Sequence, residues 1–201
     1  MKFCPNCGKT LVRSQIDERE RPHCDPAQEG CGFIHFGHYA LGVGGVVLSK
    51  TGNSVLLIQR NQEPGKGFWT LPGGFVEFDE TAESGVVREV EEETGIQTRL
   101  LGLVGFRNRV NPRNNDAYVV FLLEETGGAL IQTPNEEIAN VGFYDLKGLD
   151  RLHPLPPISK LFAERAILGQ LRAFRAEAVQ RYGLSMSDRV FLSEAGNGVT
   201  R

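Results

Sequence analysis

Apolar and polar positions along this chain follow two periods, and together they predict an α/β fold. Residues 39–49 and 54–60 read as strands flanking the turn Lys50-Thr51-Gly52-Asn53, a hairpin-like signal. Residues 99–106, 117–123 and 141–144 read as further strands. Between them Ala82, Val86 and Val90 recur every four residues, which predicts a helix with Thr81 at its N-cap and Gly95 as the left-handed residue that ends it. The turn Pro72-Gly73-Gly74 stops that helix from extending upstream. A second helical pattern runs from Ile158 through Leu161, Phe162, Leu168 and Leu171, with Gly169 as a break or kink and Gly183 as its end. This order is that of a mixed sheet covered on two sides. After Ser185 the chain is rich in Gly, Ser and small residues and reads as a loose tail.

Charge changes the picture along one stretch. Between Gly73 and Ile96, eight carboxylates (Glu77, Asp79, Glu80, Glu83, Glu89, Glu91, Glu92, Glu93) surround one base, Arg88. On the expected helix Glu89, Glu92 and Glu93 fall at i, i+3 and i+4, so like charges crowd one face at about a few tenths of a kcal/mol per pair. A counter-ion would relieve that repulsion. Hard oxygen ligands at this density suit Mg²⁺ or Mn²⁺, which bind best when substrate phosphates complete the octahedron. The chemistry implied is metal-assisted attack of water on a phosphoanhydride. A solvated acidic face is the competing reading of the same charges.

The spacing decides between them. Gly74, five residues, Glu80, seven residues, Arg88-Glu89-Val90, one residue, Glu92-Glu93, one residue and Gly95-Ile96 resembles the Nudix box at every fixed position, and Phe68-Trp69-Thr70-Leu71-Pro72-Gly73-Gly74 resembles the approach to it. The resemblance implies hydrolases of nucleoside diphosphates linked to another moiety X, with an α/β/α sandwich around a mixed sheet. It further implies Glu89, Glu92 and Glu93 as metal ligands and the Gly73 carbonyl as a further one. Arg88 would orient a glutamate through charge-assisted hydrogen bonds, with Glu80 one layer behind the ligands. In many members the general base, or an extra ligand, is a glutamate on a later loop. Glu136 and Glu137 both qualify, a base within the box (Glu89 or Glu92) stays open, and so does a plain capping role for the pair after Pro134.

The four cysteines, Cys4, Cys7, Cys24 and Cys31, all lie near the start. They read as a four-thiolate Zn²⁺ site of structural type in a module, residues 1–37, too short to fold on a hydrophobic core alone. Disulfides compete for an even cysteine count, but Met1-Lys2-Phe3 leads directly into Cys4, so no secretory leader is expected and a cytoplasmic setting is. The departure from a tidy ribbon is the six residues between Cys24 and Cys31, which leaves His23 as an alternative ligand to Cys24. A ribbon could also bind nucleic acid. Five basic and five acidic side chains in residues 1–37 cancel, and the whole chain carries −3, so the clustered cations that phosphate backbones require are missing.

Length and composition, 201 residues with 40% hydrophobic and 23% charged, suit that module, a globular domain over 38–182 and a tail over 183–201. The linker is expected around Gly37-His38-Tyr39. No apolar run approaches the roughly 18 residues of a membrane span. Arg60, Arg107, Arg109 and Arg113 are candidates to grip diphosphate oxygens, and Trp69 is either a base-stacking residue or a wedge beneath the glycine turn. Tyr39, Phe75, Phe78, Phe106 and Tyr118 are aromatic candidates for a nucleobase pocket, although strand alternation assigns most of them to the core. Nudix proteins with a zinc ribbon resemble NADH pyrophosphatases on one side and ADP-ribose or FAD pyrophosphatases on the other. No Ser-Gln-Pro-Trp signature of the first kind follows Ile96, whereas Pro112 stands at the distance where ADP-ribose hydrolases often carry a proline. The expectation is therefore an ADP-X substrate, with nucleoside triphosphates or a non-catalytic sensing role as rivals. The resemblance also suggests a homodimer.

Overall fold

The structure, a computed structural model, describes residues 1–110, 115–177 and 190–192. Pro112, Arg113, Gly183 and Ser185 lie outside the described residues. The chain divides into two compact units, Met1–Tyr39 with Val110–Asn115, and Ala40–Arg109 with Asp116–Arg201.

In the first unit, β1 (Val12–Ile16) and β2 (Arg19–His23) form an antiparallel hairpin with Val12 opposite His23 and Ile16 opposite Arg19. A short 3₁₀ turn, Pro26–Gln28, is capped by Asp25, whose carboxylate accepts from the Ala27 N–H at 2.9 Å. Gly30 N–H bonds back to the Asp25 carbonyl and Gly32 N–H to the Cys24 carbonyl. This closed loop accounts for the long Cys24–Cys31 spacing, because the six residues fold back on themselves and return the chain to where it left.

The second unit is built on a six-stranded sheet. Its strands are β3 (Tyr39–Leu48), β4 (Val55–Arg60), β5 (Trp69–Thr70), β6 (Ile96–Val110), β7 (Asn115–Gly128) and β8 (Ile138–Tyr144). The order is β5-β4-β3-β7-β6, and β8 pairs antiparallel with β4 from Val55 opposite Tyr144 to Arg60 opposite Ile138. Side chains alternate across the sheet. Val43, Val47, Leu56, Val119, Phe121 and Leu123 face one side, where α1 (Ala82–Thr94) adds Val86 and Val90. Val46, Val55, Leu57 and Val120 face the other, where α2 (Leu146–Leu149) and α3 (Pro157–Ile167) add Leu149, Ala163 and Ala166. This is the α/β/α layering expected from the sequence. No helix among the described residues is long and apolar enough to cross a membrane.

Two expectations need correction. The last helix does not run on through Leu171: it stops at Ile167, and Gly169, at φ 65°, takes the left-handed conformation that ends helices. Beyond it Phe174 bridges to Leu103, and β9 (Arg175–Glu177) pairs with β10 (Val190–Leu192). That last strand lies in the stretch read as a loose tail. Its middle residue, Phe191, packs on Phe121 with ring centroids 5.7 Å apart, so an apolar triplet in a small-residue segment outweighs the composition around it.

Candidate active site

Helix α1 starts and stops on local chemistry. Thr81 Oγ1 accepts from the Ser84 N–H at 3.2 Å while Ser84 Oγ accepts from the Thr81 N–H at 3.0 Å, a reciprocal capping box. Gly95, at φ 76°, closes the other end. Helix pitch then sets Glu89, Glu92 and Glu93 on neighbouring turns with Arg88 beside them. The guanidinium is the hub. It grips both Glu80 oxygens (3.1 and 2.7 Å) and donates to Glu89 and Glu92, each at 2.9 Å. Those hydrogen bonds hold the Glu80 carboxyl below the usual range.

Glu93 is held differently. Only 7% exposed, it accepts from the Gly73 N–H at 2.7 Å, and burial, aided by the charges of Glu89 and Glu137, pushes its carboxyl up to about 8 despite that bond and nearby Arg60. Burial also raises Glu89, against the pull of Arg88. The glycine turn makes this approach possible. Gly73, at φ 149°, has a backbone that side chains rarely adopt, and a β-carbon at Gly74 would collide with the Glu89 carboxylate. Glu92 is exposed, so it is Glu93, buried beside Glu89 with one backbone N–H for a partner, whose charge fits a divalent cation held through hard oxygen ligands.

The loop before β8 is brought to the same place. Asn135 Oδ1 accepts from the N–H groups of Glu137 and Ile138, and Asn61 donates to the Asn135 carbonyl at 2.7 Å. Both Glu136 and Glu137 are exposed, and it is Glu137 whose charge acts on Glu89 and Glu93.

The arginines separate. Arg60 donates from Nε to the Pro64 carbonyl at 3.0 Å and acts electrostatically on Glu93. Arg109 is tied to Asp116 at 3.0 Å, and Arg113 lies outside the described residues. Arg107 sits over the Tyr118 ring, 5.3 Å from its centroid. Trp69, 8% exposed, packs edge-on against Tyr144 in the core. Strand alternation misled for the aromatics: Tyr39 (69%), Phe75 (68%) and Phe78 (99%) are exposed at a strand start and in the turns before α1, and Phe106 (64%) is exposed within the outer half of β6. Tyr118 is the one among them that is packed, and burial raises its hydroxyl to about 12.

In the first unit the four cysteine sulfurs lie within 4.8 Å of one another. Cys4 and Cys31 are 3.5 Å apart, and Cys7 and Cys24 3.4 Å. The Lys9 N–H, with help from Cys24, lowers the Cys7 thiol to about 6. At Cys24 a bond from the Cys31 N–H is outweighed by burial and the neighbouring sulfurs, which drive it to about 12. Four sulfurs so close cannot all ionise without a cation among them, and the set fits tetrahedral Zn²⁺. His23 instead pairs with the Ser14 hydroxyl at 3.4 Å.

A family model described as the NUDIX domain matches residues 38–166. An ADP-ribose pyrophosphatase of Methanocaldococcus jannaschii is 38% identical over 117 residues, covering 57% of this chain and 67% of the relative. The NAD-capped RNA hydrolase NudC of Vibrio atlanticus is 26% identical over 167 residues, 83% of this chain but only 58% of the relative. A crystal structure of a NUDIX hydrolase from Nitrosomonas europaea superposes with a TM-score of 0.66 at 24% identity, over 85% of this chain and 92% of that one, a likeness of fold. With the box, the layered sheet and the matched domain in agreement, the chain belongs to the Nudix hydrolase family.

Proposed function

We propose that this chain is a Mg²⁺- or Mn²⁺-dependent pyrophosphohydrolase of ADP-ribose or a related ADP-X dinucleotide such as FAD or NADH, releasing AMP and the phosphate of X. The observation that carries the reading is the buried Glu93 carboxylate of α1 against the glycine turn, with Glu89 and the exposed Glu92 beside it on the same helix. Glu89, Glu92 and Glu93 would hold the cation, with the Gly73 carbonyl as a further ligand. When bound, the divalent ion supplies Lewis-acid stabilisation of the charge that builds on the phosphates. Arg88, locked to Glu80, fixes the carboxylates in register. Glu137 takes the proton from the attacking water in this reading, because its charge already acts on Glu89 and Glu93, and Glu136 stands beside it as the alternative. The ADP-X preference is supported by the Methanocaldococcus jannaschii relative, whose name is ADP-ribose pyrophosphatase.

The four cysteines would hold a structural Zn²⁺ in a ribbon spanning residues 1–37, ahead of the catalytic domain at 38–182. A cytoplasmic homodimer is the setting proposed for the whole. A second reading, hydrolysis of NAD-capped RNA, is favoured by the long match to the NudC relatives, which reaches well beyond the Nudix domain. The missing Ser-Gln-Pro-Trp signature and the zero net charge of residues 1–37 weigh against it. Glu92→Gln and Glu93→Gln test the ligand assignment. Each should cut kcat on ADP-ribose at least about 100-fold with the fold intact, because metal-bound charge is removed and packing is not. Full turnover in either variant, with metal still bound, would show the assignment to be wrong.

A further inference from the structure

Arg107, among the described residues of the second unit, is a cation that the fold buries in part without an ion pair. Its Nε is buried and has no hydrogen-bond partner, and the guanidinium makes no ion pair with any described residue. Burying part of an arginine unpaired is costly, and such groups are ordinarily matched. What holds it is Tyr118, whose ring lies beneath the guanidinium at 5.3 Å.

Tyr118 is in turn wedged against β3. Its hydroxyl end occupies the space that a side chain at Gly44 would need, and its ring borders Gly42. The same stretch of β3 carries the glycine turn, since Val43 N–H bonds to the Gly74 carbonyl at 2.8 Å and Gly45 N–H to the Pro72 carbonyl at 2.8 Å. Gly73 then donates to Glu93. A continuous set of contacts therefore runs from Arg107 through Tyr118, Gly44 and Gly73 to the buried carboxylate. Consistent with that proximity, the charges of both Arg107 and Glu93 act on the Tyr118 hydroxyl. Arg109, two residues along the same strand, spends its charge on Asp116.

We infer that Arg107 is the side chain that grips the diphosphate of the substrate, and that Tyr118 is the positioning residue that aims it, buttressed by Gly44. An anionic diphosphate beside the α1 carboxylates needs a cation on its far side, and a guanidinium whose Nε is already buried and whose plane is held over the Tyr118 ring loses little on engaging it. The inference rests on the proposed function for its substrate class, and the test uses binding so that the two can fail separately.

ADP is the probe, titrated by calorimetry with Mn²⁺ into the full-length zinc-loaded protein. Arg107→Ala should weaken ADP roughly tenfold or more, and Arg107→Lys should recover part of that loss. Tyr118→Leu should fall towards Arg107→Ala, while Tyr118→Phe, which keeps the ring, should restore affinity. Arg99→Ala, at an exposed pair with Glu124, is the control and should match wild type. Unaltered ADP affinity in Arg107→Ala, or a wild type that binds no ADP, would overturn the inference. Thermal melts of every variant separate weakened binding from a lost fold. Wild-type turnover of ADP-ribose is scored independently, so a protein that cleaves it with Arg107→Ala unimpaired sinks this inference and spares the function.

Discussion

Glu93 concentrates the tension in this site: it is a carboxylate buried for want of anything better than one backbone N–H, among like charges. In the protein without divalent metal its folded value, about 8, stands above the 4.5 of an unfolded glutamate. The native state therefore holds a proton that the unfolded state has released over that window, and stability falls as pH rises from about 4.5 to about 8. Melting temperature without added divalent metal should decline across that range, and Glu93→Gln should flatten the decline. Identical pH profiles for the two proteins would mean that burial of Glu93 is not limiting. At this scale the sequence was most legible where a residue has one possible partner set. Arg88, alone among eight carboxylates, could hardly do other than join several of them. It was least legible for residues with two good uses, as with Trp69, whose apolar body found a core before its face could meet a base.

Helix α1 shows how an element is specified by its ends. The threonine cap and the closing glycine were readable because each answers a local need of the backbone, but Ser84 as the reciprocal partner was not, since serine at that position is a less common choice than glutamate. Thr81→Ala should destabilise the protein by about 1 kcal/mol, seen as a lower urea midpoint with an unchanged slope. No shift would mean that packing of Val86 and Val90 alone sets the helix. The strands were found in their right places but grew in length: the run expected at 99–106 extends over Ile96–Val110, and that at 117–123 over Asn115–Gly128. Exposed residues at their ends carry no hydrophobic alternation, so the pattern fades before the hydrogen bonding does. The strand at Trp69–Thr70 is too short for any periodicity to declare it.

On the scale of the whole molecule, two sources of stability coexist. The second unit has a hydrophobic core on both faces of its sheet, whereas the first is a short hairpin and loops gathered about four sulfurs. With the Zn²⁺ proposed for it, such a unit would depend on that metal to fold. Cys7→Ser should therefore release zinc and abolish the first unit's melting transition, while unchanged zinc content and melting would count against a structural metal. The family was legible from one stretch because the box is itself the chemistry: carboxylates, the base that orders them and the glycines that admit them lie within 24 residues, from Gly73 to Ile96. Substrate identity is written elsewhere, on strands and loops that meet only after folding, and Arg107 with Tyr118 could not be paired from their spacing. The most direct measurement is to present the purified protein, with Mg²⁺ or Mn²⁺, to ADP-ribose, FAD, NADH, NAD-capped RNA, diadenosine polyphosphates and nucleoside triphosphates, and to follow products by chromatography. AMP released from ADP-ribose or a close ADP-X relative well ahead of the rest is the expected result; faster turnover of nucleoside triphosphates, or none of any member with metal bound, would contradict it.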